Sequence, residues 1–168
     1  MMKIVVSDST PLISLMKAEM LDTLAGLFGE VLIPEAVFQE VTTNEEFKDE
    51  ADQIKKSTFI RVVKVENTDR VSFLRRVTGL DLGESEAIIY ADEAKADLLL
   101  MDEVAGRKVA QNMSLPMIGT VGIIVRAFRV GIISERNAEE AFDKLRKSRR
   151  HISEQLIQDA LDVIHRNK

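Results

Sequence analysis

The stretch Lys3-Ile4-Val5-Val6-Ser7-Asp8-Ser9-Thr10-Pro11-Leu12-Ile13 decides the fold of this chain. Its three consecutive apolar residues, 4–6, indicate a short buried strand. Pro11 suits the first turn of a helix, where its missing N–H costs nothing. We therefore expect Asp8 to lie where a strand passes into a helix. Ligands bind at that carboxyl end of the strands in open α/β sheets, although an Asp in this position can also serve only as a helix cap.

The length and composition predict one globular domain spanning residues 1–168. With 168 residues, of which 45% are hydrophobic and 30% charged, the chain is able to bury roughly two-thirds of its unfolded surface. No apolar run approaches the length of a membrane span, and the first residues lack the layout of a signal peptide. Without cysteine the chain forms neither disulfides nor thiolate metal sites. These features predict a cytoplasmic protein with no membrane association.

Any metal site in this chain must be built mainly from oxygen ligands. Only two histidines occur, His151 and His165, which excludes a histidine-rich zinc site and a Cys/His nucleophile pair. Carboxylate oxygens suit Mg²⁺ or Mn²⁺. The formal net charge of −5 argues against a general nucleic-acid coat, whose surface is basic. It is compatible with an acidic metal pocket beside a local basic patch.

Short apolar runs and amphipathic segments alternate along the chain. Strands are predicted at 4–6, 31–33, 59–65, 98–101 and 115–120, and helices at 12–27, 34–41, 43–57, 68–78, 105–112 and 121–130, with a further helix in 80–91. This alternation predicts βαβ units and therefore a three-layer α/β/α fold with a central, mostly parallel sheet. The core is expected at about residues 3–131, followed by C-terminal helices within 134–166.

Carboxylates recur at the ends of these predicted elements. The apolar run 98–101 is followed at once by Asp102 and Glu103, as the first strand is followed by Asp8. Neighbouring parallel strands bring such ends to the same edge of a sheet. Glu40 borders the buried face of the helix predicted around it, so it either faces a cleft or lies at the solvent-exposed rim.

The segment LDLGESEAIIYA (80–91) opens a helix with two candidate acids. Asp81 and Glu84 are spaced like the partners of a capping box, so Glu84 has a purely structural alternative. Glu84 and Glu86 lie about 200° apart around a helix, so both cannot point into one cleft. Small residues share the face of Glu84 and let that face approach the sheet. Glu84 is therefore the preferred inward acid.

Four acids, Asp8, Glu40, Glu84 and Asp102, are thus predicted to meet at one edge of the sheet. Uncompensated carboxylates in one cleft repel one another, which raises the pKa values of some of them, and a divalent cation relieves that repulsion. An acidic cluster without histidine or cysteine is typical of Mg²⁺ or Mn²⁺. Such a site activates water and neutralises charge on a phosphodiester. The pattern predicts a metal-dependent phosphoryl enzyme.

Three segments resemble PIN domains. The opening VVSDSTPLISL looks like the start of these domains, and IPEAVFQEV resembles their second motif, with Glu40 as its acid. The segment LDLGESEAIIYADEAKADLLLMDEVAGRKVA is similar to a PIN-like subfamily of unassigned function. The likeness runs from residue 4 to about 131. It implies an Mg²⁺- or Mn²⁺-dependent ribonuclease, commonly the toxin of a toxin–antitoxin pair, that forms a homodimer and binds a small antitoxin protein.

The resemblance also implies roles for individual residues. Carried over by position, Asp8, Glu40, Glu84 and Asp102 are the metal-binding acids. Many members have Asp where this chain has Glu84, and Glu86 or Glu103 is the alternative member of the set. In the hypothesis that follows, metal-activated water hydrolyses an RNA phosphodiester. Asp8 and Asp102 hold the ion or ions, while Glu40 and Glu84 complete the shell or orient the water.

Some polar residues near these acids have two interpretations. Ser9 or Thr10 is placed to hydrogen-bond a ligand carboxylate or a phosphate. Arg107 and Lys108 are either phosphate contacts or solvent-exposed side chains. The basic segment 144–151 is either a contact for phosphates or an acidic partner, or a solvated turn between two helices.

Two rival functions remain open at the level of sequence. The first is another Mg²⁺-dependent α/β phosphoryl-transfer domain in which Asp8 is the nucleophile. Haloacid-dehalogenase-type enzymes carry Asp-x-Asp after the first strand, and Thr10 stands at the second Asp position here, which counts against them. The second rival is a PIN-like binding module that does not turn over a substrate.

Overall fold

The structure, a computed structural model, describes residues 3–148, 150 and 152–166. The described residues form one five-stranded sheet and ten α-helices. The strands are β1 (Val5–Ser7), β2 (Val31–Pro34), β3 (Ile60–Val63), β4 (Leu98–Leu100) and β5 (Met117–Ile118). The helices are α1 (Ser9–Lys17), α2 (Thr23–Phe28), α3 (Glu35–Thr43), α4 (Lys48–Lys56), α5 (Thr68–Thr78), α6 (Leu82–Glu93), α7 (Val104–Asn112), α8 (Thr120–Arg129), α9 (Glu135–Lys147) and α10 (Glu154–Arg166).

The sheet has the strand order β3-β2-β1-β4-β5, and every neighbouring pair is parallel. Val6 at the centre of β1 lies opposite Leu32 of β2 on one side and Leu99 of β4 on the other. The chain adds β2 and β3 on the first side and then crosses over to add β4 and β5 on the second. The strand order therefore reverses between β1 and β4, and ligands of open α/β sheets bind beyond the carboxyl ends at such a point.

Helices cover both faces of the sheet. Successive strand residues point to opposite faces: Val5 and Leu100 pack in a buried cluster with α1, α3 and α8, whereas Val6 and Leu99 pack in a second cluster with α6 and α7. Because both faces of the sheet are buried, β4 is apolar throughout and β1 is apolar except for Ser7. This arrangement confirms the predicted three-layer α/β/α architecture, with a sheet that is parallel throughout.

The C-terminal helices pack into the core of the first face. Their buried side chains belong to the same apolar cluster as Val5 of β1. These side chains are Ala138, Ala141, Phe142 and Leu145 of α9 and Ile157, Ala160 and Ile164 of α10. The helix α10 contacts both α8 and α9. None of the described helices is long and apolar enough to cross a membrane.

The helix predicted at 12–27 is wrong as a single element, because α1 and α2 are separate. The break follows from Glu19, whose φ is +58°. The N–H of Met20 donates to the carbonyl of Leu15 at 2.7 Å, and the N–H of Glu19 donates to the carbonyl of Met16 at 3.0 Å. This is the Schellman pattern that ends helices, with glutamate in the position that glycine usually occupies.

Other differences concern the ends of elements. Pro34 was expected in the first turn of a helix but is the last residue of β2, where its ψ of 157° is extended and it pairs with Val63. The predicted helix at 43–57 is a 3-10 turn over Glu45–Phe47 followed by α4. The strands predicted at 59–65 and 115–120 are shorter, as β3 and β5, because few of their backbone groups pair with a neighbour.

Candidate metal centre

Asp8 is buried at the point where β1 ends and α1 begins. Its backbone N–H donates to the carbonyl of Leu100 at 3.0 Å, which ties it to the end of β4. The side chain is 1% exposed. Among the described residues neither carboxylate oxygen has a hydrogen-bond partner of good geometry. Asp8 is the N-cap residue of α1 but makes no side-chain cap bond, so the alternative of a purely capping role does not account for it.

The electrostatics of Asp8 are those of a carboxylate held among other acids. Burial raises the pKa of Asp8 well above its ordinary value, and only the backbone amide of Ser9 lowers it in part. The negative charges of Glu84, Asp81 and Glu40 raise the pKa of Asp8 further. The charged form of Asp8 is therefore costly in the absence of a counter-ion.

Glu40 on α3 and Glu84 on α6 both lie near Asp8. Burial raises the pKa of Glu40 first, and Asp81 adds to this while the Ser9 hydroxyl opposes it. Burial also raises the pKa of Glu84, and the charges of Asp81 and Glu40 contribute. The charges of Glu40 and Glu84 thus act on the carboxyl group of Asp8, and the three predicted acids lie near one another.

Asp81 is a fourth member of this cluster that the sequence indicated only as a helix cap. Its Oδ1 accepts from the N–H of Glu84 at 2.7 Å, and Oε2 of Glu84 accepts from the N–H of Asp81 at 3.2 Å. The capping box that the sequence offers as the structural alternative for Glu84 is therefore present at the start of α6. Because the helix starts beside Glu40, the two capping carboxylates also lie close to the other acids. We call Asp8, Glu40, Asp81 and Glu84 the acid cluster.

A glycine allows α6 to approach α3 at this point. A Cβ atom on Gly83 would lie 3.1 Å from Oε2 of Glu40 and 3.6 Å from Oδ1 of Asp81. A side chain there would require the Glu40 carboxylate to shift by a few tenths of an ångström. Gly83, which lies between Asp81 and Glu84 in the sequence, thus favours the close approach of these acids.

Asp102 lies at the end of β4 and is held by the start of α8. Its Oδ1 accepts from the N–H of Thr120 at 2.7 Å, and its Oδ2 accepts from the Thr120 hydroxyl at 2.6 Å. A Cβ atom on Gly119 would lie 2.7 Å from Oδ1 of Asp102, so this approach also depends on glycine. Each carboxylate oxygen keeps a further lone pair for a ligand. Asp102 is therefore a fixed carboxylate, oriented by Thr120.

The two alternative acids occupy different surroundings. Oε1 of Glu86 accepts from the N–H of Ala36 at 3.1 Å, so Glu86 binds the first turn of α3. Glu103 is exposed, and Thr10 makes a long hydroxyl contact to it of 3.5 Å. The charge of Glu103 raises the pKa values of Glu40 and Glu84. Glu103 thus borders the site, whereas Glu86 has a structural partner.

A cleft of about 490 Å³ opens beside Glu40 and Asp102. It is lined by Thr10, Ile13, Ser14, Glu40, Glu46, Phe47, Asp102, Glu103, Val104, Arg150 and Ile152. Glu40 and Asp102 therefore face one space, at the end of the sheet where the strand order reverses. We refer to this space as the cleft.

The donor set fits a hard divalent cation such as Mg²⁺ or Mn²⁺. All of these ligands are oxygens, and Asp8 contributes a buried carboxylate without a hydrogen-bond partner of good geometry among the described residues. In the described part of the chain, three ligand atoms lie within 4.8 Å of one another only at Glu135, Glu139 and His165. No three of the described acids at the sheet edge meet this distance.

The group of Glu135, Glu139 and His165 has a structural explanation. Nε2 of His165 on α10 lies 2.8 Å from Oε1 of Glu139 and 3.7 Å from Oε1 of Glu135, both on α9. The contact therefore joins the last two helices, far along the chain from the residues of the acid cluster.

The basic residues considered from the sequence are distributed differently. Nη1 of Arg107 donates to the carbonyl of Met101 at 2.8 Å, so it braces the turn after β4. Arg107 and Lys108 line a separate pocket next to β5. In the segment 144–151, Arg150 lies in the cleft. Arg149 and His151 lie outside the described residues.

Comparison with known proteins gives the family. No curated protein sequence matches this chain significantly. Residues 4–166 match the family described as DUF3368: PIN domain. This match extends beyond the segments that carry the resemblance in the sequence and includes the C-terminal helices. PIN domains are generally nucleases and typically use divalent metals. The resemblance is thereby confirmed, and the chain belongs to the PIN domain family DUF3368.

Proposed function

We propose that this protein is a metal-dependent ribonuclease that hydrolyses RNA phosphodiester bonds. The observation that carries the proposal is the buried carboxylate of Asp8, which has no hydrogen-bond partner of good geometry among the described residues and lies beside Glu40, Asp81 and Glu84. The charged form of a buried carboxyl group among other acids destabilises the folded protein unless a cation binds it. Membership of the PIN domain family supports the nuclease class.

Asp8, Asp102, Glu40 and Glu84 are the residues that would hold Mg²⁺ or Mn²⁺. A bound divalent ion supplies a water of lowered pKa and neutralises charge on the phosphodiester. Thr120 keeps Asp102 in a fixed orientation through two hydrogen bonds. Glu40 and Glu84 would complete the ligand shell or orient the attacking water.

The proposal extends to the biological role that the family resemblance implies. We propose that the protein acts in the cytoplasm as the toxin of a toxin–antitoxin pair, that it forms a homodimer, and that a small antitoxin protein restrains it. Its support is the family match over residues 4–166. Size-exclusion chromatography with light scattering tests the dimer, and co-purification with the protein encoded beside it tests the antitoxin.

Metal binding is tested first, by thermal unfolding in EDTA, Mg²⁺ or Mn²⁺. A ligand that binds only the native state raises the melting temperature. We expect Mn²⁺ to raise the melting temperature of the wild type and Asp8→Asn to lose that rise. Glu86→Gln is the matched control, because Glu86 already binds the first turn of α3. No rise in the wild type at millimolar metal contradicts the metal site.

Cleavage is then tested with single-stranded RNA and DNA of the same mixed sequence. We expect Mn²⁺-dependent cleavage of RNA that EDTA stops and that Asp8→Asn and Asp102→Asn each reduce by about 100-fold or more, since changes near metal ligands already cost 10–100-fold. Glu103→Gln should retain most activity because Glu103 only borders the site. Metal binding without cleavage of either nucleic acid would favour the binding-module alternative.

A further inference from the structure

The basic residues between α9 and α10 are not equivalent. Lys144 pairs with Glu19, which joins α9 to the turn after α1. Arg146 pairs with Glu154 at 2.8 Å and with Asp143 at 3.3 Å, so it stabilises the connection to α10. Lys147 is exposed at the end of α9. These contacts account for Lys144 and Arg146 as structural residues.

Arg150 is directed into the cleft instead. Its Nε donates to the hydroxyl of Ser14 at 3.2 Å, and Ser14 is a buried residue of α1, the helix that begins directly after Asp8. The positive charge of Arg150 lowers the pKa of Glu40. The C-terminal connection therefore places a guanidinium against α1, the helix that begins directly after Asp8, through a contact between residues 136 positions apart in sequence.

Arg150 is a cationic side chain in an otherwise acidic cleft. The lining includes the carboxylates of Glu40, Glu46, Asp102 and Glu103, and Arg150 is the single cationic side chain among the described lining residues. A polyanion that enters such a cleft is repelled by the acids that a bound cation does not neutralise. A guanidinium supplies a permanent positive charge and a fork of N–H donors that matches phosphate oxygens. The bond to Ser14 uses only Nε–H and leaves the donors on the two terminal nitrogens.

We propose that Arg150 is an RNA-binding residue that contacts a backbone phosphate next to the acid cluster. This inference rests on the proposed ribonuclease function and names a residue from the C-terminal connection as part of its substrate site. Because the contact is to the phosphate backbone, it adds affinity without sequence preference. The competing explanation is that Arg150 only fastens the connection to α1 through Ser14.

The test measures RNA binding apart from cleavage. A fluorescent single-stranded RNA of mixed sequence is titrated with Asp8→Asn protein and with Asp8→Asn/Arg150→Ala protein at several salt concentrations, by fluorescence anisotropy. We expect Arg150→Ala to weaken binding about tenfold, as for loss of a charge-assisted hydrogen bond. The slope of log affinity against log salt should fall by about 0.7, the value of one phosphate contact on a single strand. Lys147→Ala in the same background is the matched control and should change neither quantity.

Two further variants separate binding from anchoring. Arg150→Lys keeps the charge and should keep the salt slope, with a smaller loss of affinity because an ammonium lacks the fork. Ser14→Ala removes the anchoring bond and should leave the salt slope unchanged. If Arg150→Ala lowers the melting temperature as Ser14→Ala does and leaves RNA affinity and slope intact, the proposal is overturned. RNA that binds neither protein overturns it as well. Failure of the ribonuclease proposal is a separate result, namely no cleavage by the wild type with Mn²⁺.

Discussion

At the scale of single residues, the burial of Asp8 sets the electrostatics of the site. A carboxylate that is 1% exposed among other acids is disfavoured in its charged form. The folded protein therefore holds the Asp8 proton at pH values where the unfolded chain has released it. The contribution of Asp8 to the free energy of unfolding is fully present below 3.8, the ordinary pKa that applies to the unfolded chain. This contribution is lost as the pH rises through the raised pKa of Asp8 in the folded protein.

We predict that Asp8→Asn stabilises the protein in metal-free buffer. The variant cannot ionise, so it should be more stable than the wild type at neutral pH in EDTA. The difference in free energy of unfolding should shrink as the pH is lowered toward 3.8. Urea unfolding of both proteins over this pH range measures the difference and cancels the contributions of groups that do not interact with Asp8. Glu103→Gln is the control, since it removes an exposed carboxylate that borders the site and should change the free energy of unfolding less than Asp8→Asn does. A wild type that is the more stable protein at neutral pH without metal would show that Asp8 has a partner in solution.

At the scale of elements, the start of α6 combines a structural and an electrostatic task. Asp81 caps the helix, and its charge raises the pKa values of Asp8, Glu40 and Glu84. The chain contains a second capping box at Ser134 of α9, which is not part of the acid cluster. The two helices therefore form an internal comparison.

We predict that removing the two caps has unequal effects. Ser134→Ala should cost about 1 kcal/mol of stability through the lost cap. Asp81→Ala should cost less in EDTA, because it also relieves repulsion within the acid cluster. Asp81→Asn keeps a good capping acceptor and should stabilise the metal-free protein. Urea unfolding of the three variants tests this, and a larger loss for Asp81→Ala than for Ser134→Ala would refute the electrostatic role.

The same elements explain what the sequence predicts well and what it does not. The helix at 68–78 and the capping box at Asp81 and Glu84 were predicted correctly because their signals are local. The end of α1 was missed because Glu19 takes the left-handed conformation in place of glycine. The electrostatic role of Asp81 was missed because its spacing already had a sufficient local explanation as a cap.

At the scale of the whole molecule, the site depends on contacts that no local pattern contains. The alternation of strands and helices predicts a parallel sheet but leaves open that β1 pairs with both β2 and β4. That order is what brings Asp8 and Asp102 to one edge. The inward direction of Arg150 likewise depends on how the C-terminal helices pack. The sequence predicts the four acids from their positions at the ends of elements, whereas the hydrogen bonds of Asp102 to Thr120 follow only from the fold.

The prediction that residues 1–168 form one domain is testable through α10. Ile157 is 1% exposed in the core cluster that contains Val5, whereas its neighbour Leu156 is 51% exposed. Ile157→Ala should therefore lower the free energy of unfolding by about 2–5 kcal/mol, and Leu156→Ala should change it by no more than about 0.5 kcal/mol.

Tyr90, the only tyrosine of a chain without tryptophan, lies on α6 at the other face of the sheet. If α10 belongs to one cooperative unit, Ile157→Ala shifts the fluorescence transition of Tyr90 and the far-ultraviolet circular dichroism transition to the same midpoint. A Tyr90 transition that stays at its wild-type midpoint, beside a new early loss of helix, would mean that the C-terminal helices unfold separately. Arg150 would then leave the cleft with them, and RNA affinity would fall before the acid cluster is disturbed.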